Sequence, residues 1–298
     1  MGEEQMKYAY YPGCSAKRDA PELDNAMKVV CAKLGIELFE LYDAPCCGSR
    51  PVRQGSPRLF MLLNALILGL AESQCLDILT VCSTCQLNIC QVNKRLKEDD
   101  ALLEEINNSL STIDIKYERG IQVKHFLWVL IADMGLERMS NMVTRPLHGL
   151  KVAPYYGCHI LRPKEALEFD NPDQPSSLEK LILALGAEPV NYNGRKKCCG
   201  MHSMMESEEI ALKLSGQNIE EALHKGADCL VTPCPLCHMV LDGFQGKAEK
   251  ILRSKFGIPV LHLAQLVGLA IGIAPRDLML TRHMVLPRGF QQRIRLLH

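Results

Sequence analysis

Ile78-Leu-Thr-Val-Cys-Ser-Thr-Cys85 and Leu230-Val-Thr-Pro-Cys-Pro-Leu-Cys237 stand 152 residues apart, and their likeness decides how the whole chain reads. In each, a short apolar run leads into a CxxC pair. At the same offset Cys46-Cys-Gly48 is answered by Cys198-Cys-Gly200. Further upstream, Gly13-Cys14 is answered by Gly157-Cys158, and Leu34-Gly35 by Leu185-Gly186. Downstream, Val123-Lys-His125 is answered by Val260-Leu-His262. An internal duplication accounts for the series. It divides the chain into residues 1–146 and 147–273, joined at Thr144-Arg-Pro-Leu-His-Gly149, with a basic tail over 274–298.

Each half alternates short β-prone runs with longer segments of helical spacing. Strands are expected at Tyr8–Tyr11, Ile36–Leu41, Ile78–Val81 and Ile121–His125, and again at Val152–Tyr156, Glu188–Tyr192, Cys229–Thr232 and Pro259–His262. Helices are expected over Leu23–Leu34 and Leu178–Leu185. The alternation predicts an α/β protein of two duplicated, Rossmann-like parallel-sheet halves related by a pseudo-two-fold axis. Ligands of such sheets sit at the carboxyl ends of the strands. Cys14, Cys46 and Cys82 each closely follow an expected strand, as do Cys158, Cys198 and Cys234, so each set gathers at one edge of its own sheet. The apolar stretches Leu59–Ala71 and Leu261–Ala274 are too short to span a bilayer and predict buried helices.

Composition narrows the chemistry. The 298 residues are 47% hydrophobic, enough for a large core, and 34 basic residues balance 34 acidic ones. That balance argues against a general nucleic-acid binder. The outlier is 14 cysteines. The start, Met1-Gly-Glu-Glu-Gln-Met6, is acidic and polar rather than a secretory signal, so a reducing cytoplasm is expected, where clustered cysteines point to metal or catalysis. Ten of the cysteines obey one order: a lone Cys, then CC, then CxxC. The gap between the CC and CxxC pairs is 34 residues in both halves. Zinc in one half is one reading, since two cysteine pairs complete a tetrahedral site. Five recurring ligands exceed what zinc needs, and iron–sulfur clusters can use such a layout.

The twofold repeat of lone Cys, CCG and CxxC resembles the cysteine-rich CCG domain, and in particular the B subunit of heterodisulfide reductases. Tyr155-Tyr-Gly-Cys-His159, Cys198-Cys-Gly200 and Cys234-Pro-Leu-Cys-His238 carry the resemblance, which covers about residues 7–270. It implies two noncubane [4Fe–4S] clusters. One would be held by Cys14, Cys46, Cys47, Cys82 and Cys85, the other by Cys158, Cys198, Cys199, Cys234 and Cys237. It also implies a disulfide split between them, or thiols joined in the oxidative direction of sulfur metabolism. Tyr10-Tyr-Pro-Gly-Cys-Ser15 is closer to bacterial relatives, among them CCG subunits of some succinate dehydrogenases and fumarate reductases. An electron-relay and assembly subunit of such a complex is therefore the alternative. Met201-His-Ser-Met-Met205 replaces the small residues many relatives carry there, which predicts a narrower pocket beside the second set.

Splitting a disulfide needs two electrons and proton donors. His159 and His238, next to ligand cysteines, are the candidate catalytic residues. Neither a glycine-rich dinucleotide fingerprint nor a P-loop occurs. Electrons are expected through a ferredoxin-like iron–sulfur subunit and a flavin subunit, with a small disulfide, thiol or lipoyl-type carrier as substrate. The location is expected to be cytoplasmic, at the inner face of the membrane where partners hold it there. Cys31 and Cys229 sit in apolar contexts and predict core packing, while Cys75 and Cys90 lie outside the pattern. His125 and His262 predict structural roles. Lys17, Arg18, Arg50 and Arg53, and Arg162, Arg195, Lys196 and Lys197, lie near the cysteine loops, where they would offset cluster charge or stay solvated. The tail carries arginines at 276, 282, 288, 293 and 295, and an apolar side at Leu278, Leu280 and Met284. It predicts either a frayed end or a docking segment.

Overall fold

A computed structural model describes residues 5–296. The start of the first half (residues 1–4) and the last two tail residues lie outside the described residues. Two four-stranded, all-parallel sheets form, with strand orders β2-β1-β3-β4 and β6-β5-β7-β8. The strands are β1 (Lys7–Tyr11), β2 (Glu37–Glu40), β3 (Ile78–Thr80), β4 (Val123–His125), β5 (Lys151–Pro154), β6 (Glu188–Pro189), β7 (Cys229–Thr232) and β8 (Val260–His262). The identical orders establish the duplicated α/β architecture. The inner strands β3 and β7 are buried throughout, as parallel sheets covered by crossover helices require.

Strands at the sheet edges are shorter than the sequence predicts. The expected strand at Glu188–Tyr192 is only two residues long, because Pro189 brings no N–H to the ladder and confines pairing to the edge. The helices that matter for the site are α1 (Pro21–Lys33), α2 (Pro57–Glu72), α3 (Ser83–Glu98), α4 (Ser177–Ala184), α5 (Glu208–His224), α6 (Pro235–Gly243) and α7 (Leu263–Ala270). The stretch predicted as one helix from Leu261 begins instead as strand. His262 ends β8 and caps α7, its ring accepting from the Ala264 amide while the Gln265 side chain accepts from the His262 amide.

The halves exchange contacts about their pseudo-two-fold axis. Helix α1 of the first half packs on α7 of the second. Gly268 allows this approach: a Cβ there would lie 3.0 Å from Val30 and 2.5 Å from Leu278. In the counterpart contact, α4 of the second half packs on the Leu136–Asn141 helix of the first.

The tail folds back onto the protein. Leu278, Leu280, Phe290 and Ile294 are buried, while Met284 stays exposed. Arg282 pairs with Glu22 (3.4 Å) and Arg293 with Asp228 (2.5 Å). These contacts tie the tail to both halves, so it is not a frayed end.

Candidate iron–sulfur site

In both sheets the chain order reverses between the first and third strands, and the crevice at that switch point lies beyond their carboxyl ends. Cys14 follows β1 there and Cys82 follows β3; Cys158 and Cys234 do the same after β5 and β7. Cys82 and Cys234 are the N-caps of α3 and α6, and Cys85 and Cys237 lie in the first turns. Helix N-termini favour negative charge, which suits thiolates.

Ten thiols form one unbroken line of sulfur contacts. Cys14 Sγ is 3.4 Å from Cys46 Sγ, Cys46 meets Cys47, and Cys47 Sγ is 3.5 Å from Cys85 Sγ. Cys85 meets Cys82, and Cys82 meets Cys234 of the other half. The line continues through Cys237, Cys199 and Cys198 to Cys158. These are the ten cysteines of the repeat and no others. Cys31 and Cys229 are core residues, Cys75 is exposed, and Cys90 is buried beside Gln86.

Three sulfurs of the line hold negative charge best. The neighbouring Cys46 and then Cys85 lower Cys47 well below the ordinary thiol value. Cys158 and then Cys199 lower Cys198 to about 2. Cys237 and then Cys82 lower Cys234. Backbone amides also point at the sulfurs: Gly48 at Cys46, Ser49 at Cys47, Gly200 at Cys198 (3.3 Å) and Met201 at Cys199. Gly48 (φ +79°) and Gly200 (φ +88°) supply the left-handed turn that aims them.

The glycine before each lone cysteine makes room for sulfur. A Cβ on Gly13 would lie 2.8 Å from Cys85 Sγ, and one on Gly157 3.0 Å from Cys237 Sγ. A cradle of ten convergent thiols, amides directed at sulfur and two glycines cleared for it fits a thiolate-bound iron–sulfur group.

Several supporting residues are not among the site residues read from the sequence. Tyr11 and Tyr155, each three residues before the lone cysteine, donate to the Pro45 and Lys197 carbonyls (both 2.8 Å), just ahead of each CC pair. Asn64 on α2 and Asn218 on α5 donate to the Cys47 and Cys198 carbonyls (both 3.0 Å). The repeat carries the tyrosine signal, since Tyr11 and Tyr155 occupy matching places in the two halves, whereas Asn64 holds the second cysteine of its CC pair and Asn218 the first of its own.

His125 and His262 bind the halves together. His125 Nε2 lies 2.9 Å from the Pro233 carbonyl and His262 Nε2 3.2 Å from the Val81 carbonyl, so each reaches across to the residue before the other half's CxxC. Their Nδ1 atoms accept backbone amides, so Nε2 carries the proton. Burial lowers His125 to about 4 and His262 to about 3, which keeps both neutral.

The two candidate catalytic histidines part company. His159 Nδ1 lies 2.9 Å from the Thr84 hydroxyl of the first half, and its ring sits 5.0 Å from that of His202. Both line a narrow crevice with Cys158, Cys198, Cys234 and Met201. Burial lowers the pKa of both. His238 does not line that crevice. It is buried against His283, ring centroids 4.8 Å apart, so its place does not suit a proton donor to substrate. His202, within the Met201–Met205 run but not read as a site residue from the sequence, lines the crevice beside His159 instead.

The flanking basic residues are engaged locally. Lys17 pairs with Glu40, Arg195 with Glu179 and Lys197 with Glu221, while Lys196 bonds the Asp173 carbonyl. Arg50 reaches across to the His202 carbonyl (3.2 Å) and Glu206 (3.1 Å). The second set is the more buried, with Cys158 and Cys198 half-buried and the other three buried. The first is open: Cys14 and Cys46 are exposed in a cleft of about 360 Å³ that Lys17, Arg18 and Tyr42 also line.

Comparison with known proteins agrees with this geometry. The sequence profile of the CCG cysteine-rich domain matches twice, over residues 8–90 and 152–242. The chain is 39% identical to the 8-methylmenaquinol:fumarate reductase membrane anchor subunit of Wolinella succinogenes, over 94% of this chain and 98% of that protein. It is 30% identical to the B subunit of the ferredoxin/F(420)H(2)-dependent CoB-CoM heterodisulfide reductase of Methanosarcina acetivorans, over 91% of each. It is 31% identical to a protein of Archaeoglobus profundus that is itself like the heterodisulfide reductase B subunit, over 91% of this chain and 92% of that one. Among solved structures, a hypothetical protein from Helicobacter pylori shares the fold, with a TM-score of 0.77 at 16% identity. The match covers 96% of this chain but 53% of that one, so this chain spans about half its length.

Proposed function

This chain belongs to the family of CCG cysteine-rich domain proteins, and on that basis we propose that it is the iron–sulfur subunit of a heterodisulfide reductase-type complex, interconverting a disulfide and two thiols. Cys14, Cys46, Cys47, Cys82 and Cys85 would hold one noncubane [4Fe–4S] cluster, and Cys158, Cys198, Cys199, Cys234 and Cys237 the other. The observation that carries the reading is the meeting of the two sets at Cys82 and Cys234, with His159 and His202 at the same junction.

The overall change is R–S–S–R′ plus two electrons and two protons to R–SH and R′–SH. When bound, the clusters would supply the electrons singly and iron sites for the departing sulfurs. The chain's own residues do the rest. The disulfide would lie at the junction beside His159 and His202, in the crevice lined by Cys158, Cys198 and Cys234. Thr84 fixes His159 through Nδ1 and leaves Nε2 to exchange a proton, and His202 beside it serves the second thiolate. A ferredoxin-like subunit and a flavin subunit would deliver the electrons, since this chain has no dinucleotide motif.

Two observations favour a second reading, an electron-relay subunit of a fumarate reductase-like complex. One is the 39% identity to the Wolinella succinogenes subunit. The other is the narrowness of the crevice beside the second set, where Met201 and Leu236 crowd the histidines. Among the described residues no helix is long and apolar enough to cross a membrane, so a membrane location would come through partners.

EPR of the oxidised, anaerobically purified protein separates the two. Under the disulfide reading, a small thiol or dihydrolipoamide changes the cluster signal and His159→Gln weakens that response. A signal indifferent to every thiol and disulfide, in protein whose clusters still exchange electrons with a respiratory partner, would leave the relay reading standing.

A further inference from the structure

We propose that His238, Asp242 and His283 form a binding site for a zinc-type divalent transition-metal ion, separate from the ten cysteines. One ligand atom from each lies within 4.8 Å of the other two, and all three side chains are buried. Their exposures are 2%, 4% and 7%. Helix α6 sets His238 and Asp242 one turn apart on a single face, and the tail brings His283 over them.

The hydrogen bonds leave lone pairs aimed inward. Gln265 Oε1 accepts the His262 amide (3.0 Å), which fixes its orientation, and stands 3.1 Å from His283 Nε2. Nε2 must therefore carry the proton, so His283 Nδ1 holds a lone pair, and that atom is buried with no partner. His238 Nε2 is likewise buried without a partner, and the Val260 backbone lies beside both rings. Asp242 accepts the Met284 and Val285 amides (2.8 and 3.2 Å), one on each oxygen, and each oxygen keeps a second lone pair. Two orphaned ring nitrogens beside a buried carboxylate are costly as they stand. A cation would satisfy all three.

Two imidazoles and one carboxylate suit zinc, whereas calcium and magnesium prefer all-oxygen shells. Tetrahedral zinc places ligand atoms about 3.3 Å apart, within reach of small rotations from the present spacing. Gln265 and the tail amides already orient the ligands as outer partners commonly do. The ion would clamp the tail to α6, the helix that carries Cys234 and Cys237.

The test uses the full chain, purified anaerobically from zinc-supplemented growth. Elemental analysis is combined with zinc-edge X-ray absorption. The expected result is about one zinc per chain with nitrogen and oxygen ligands at about 2.0–2.2 Å and no sulfur near 2.3 Å. Separately, His283→Gln and Asp242→Asn should each lower zinc affinity at least about tenfold with iron unchanged. Absence of zinc, or zinc retained by both variants, overturns the site. A sulfur shell also overturns it, and would in addition count against cysteine-bound clusters, whereas iron content reports on those clusters alone. Should the variants not fold, an anomalous difference map of wild-type crystals at the zinc edge decides. A peak among the three side chains supports the site, and none there refutes it.

Discussion

Replacing Gly13 by alanine tests whether the cysteine line is a ligand cradle. Two costs follow from the structure. The backbone at φ +75° penalises any L side chain by about 1–2 kcal/mol. The new Cβ would also stand 2.8 Å from Cys85 Sγ, where contact needs about 3.5–4.0 Å, so the sulfur must shift by about 1 Å. Metal–ligand bonds tolerate about 0.2 Å, so that shift takes Cys85 out of bonding range. Gly35 isolates the first cost, having φ +74° and nothing within 4 Å of its would-be Cβ. Both variants should lose a few degrees of thermal stability. Only Gly13→Ala should lose iron, from about eight per chain to about four. Gly157→Ala should act the same way in the second half, through Cys237. Iron, acid-labile sulfide and melting temperature on parallel anaerobic preparations decide the matter. If Gly13→Ala keeps as much iron as Gly35→Ala, the cysteine line is no ligand cradle.

Further expectations concern the junction between the halves. His262→Ala removes the ring donor of the Val81 carbonyl, and urea titration should show a loss of about 1–3 kcal/mol; His125→Ala leaves the Pro233 carbonyl the Ser83 hydroxyl at 3.3 Å and should cost about 1 kcal/mol. With folded values of about 4 and about 3 against 6.5, the unfolded chain binds more protons as pH falls below 6.5. Stability should be fully present above pH 6.5 and fall by about 1.4 kcal/mol per pH unit per histidine below it, until the folded values are passed. The alanine variants should show a shallower slope, and an unchanged one would contradict the assignment. Tyr155→Phe removes the bond to the Lys197 carbonyl and should cost about 1 kcal/mol in the same titration. His159→Gln should slow disulfide turnover by about 10²–10⁴-fold with iron content unchanged, and full activity would remove His159 from proton transfer.

The sheets and the cysteine grouping are legible in the sequence because both depend on local order. Cys82 follows a strand and opens a helix in any parallel sheet of this kind, and the repeat puts Cys234 in the same place. What stays hidden depends on how the two sheets dock. The reach of His125 to Pro233, of His262 to Val81 and of Thr84 to His159 crosses between halves, and hydrophobic periodicity says nothing about that. Asn64 lies within the apolar stretch Leu59–Ala71. Its buried amide holds the Cys47 carbonyl, and Asn218 holds that of Cys198, bonds made only once the helices pack on the cysteine loops. His238 reads as a site residue through its neighbour Cys237, but α6 turns its ring toward Asp242 and the tail.

Whether both halves carry a cluster is decided by iron and acid-labile sulfide per chain in the anaerobic protein, compared with Cys85→Ser and Cys237→Ser. The expected values are about eight of each in the wild type and about four in either variant, one cluster's worth lost from the half that was changed. About four iron in the wild type, insensitive to one of the two substitutions, would contradict the two-cluster reading by showing that one half holds none.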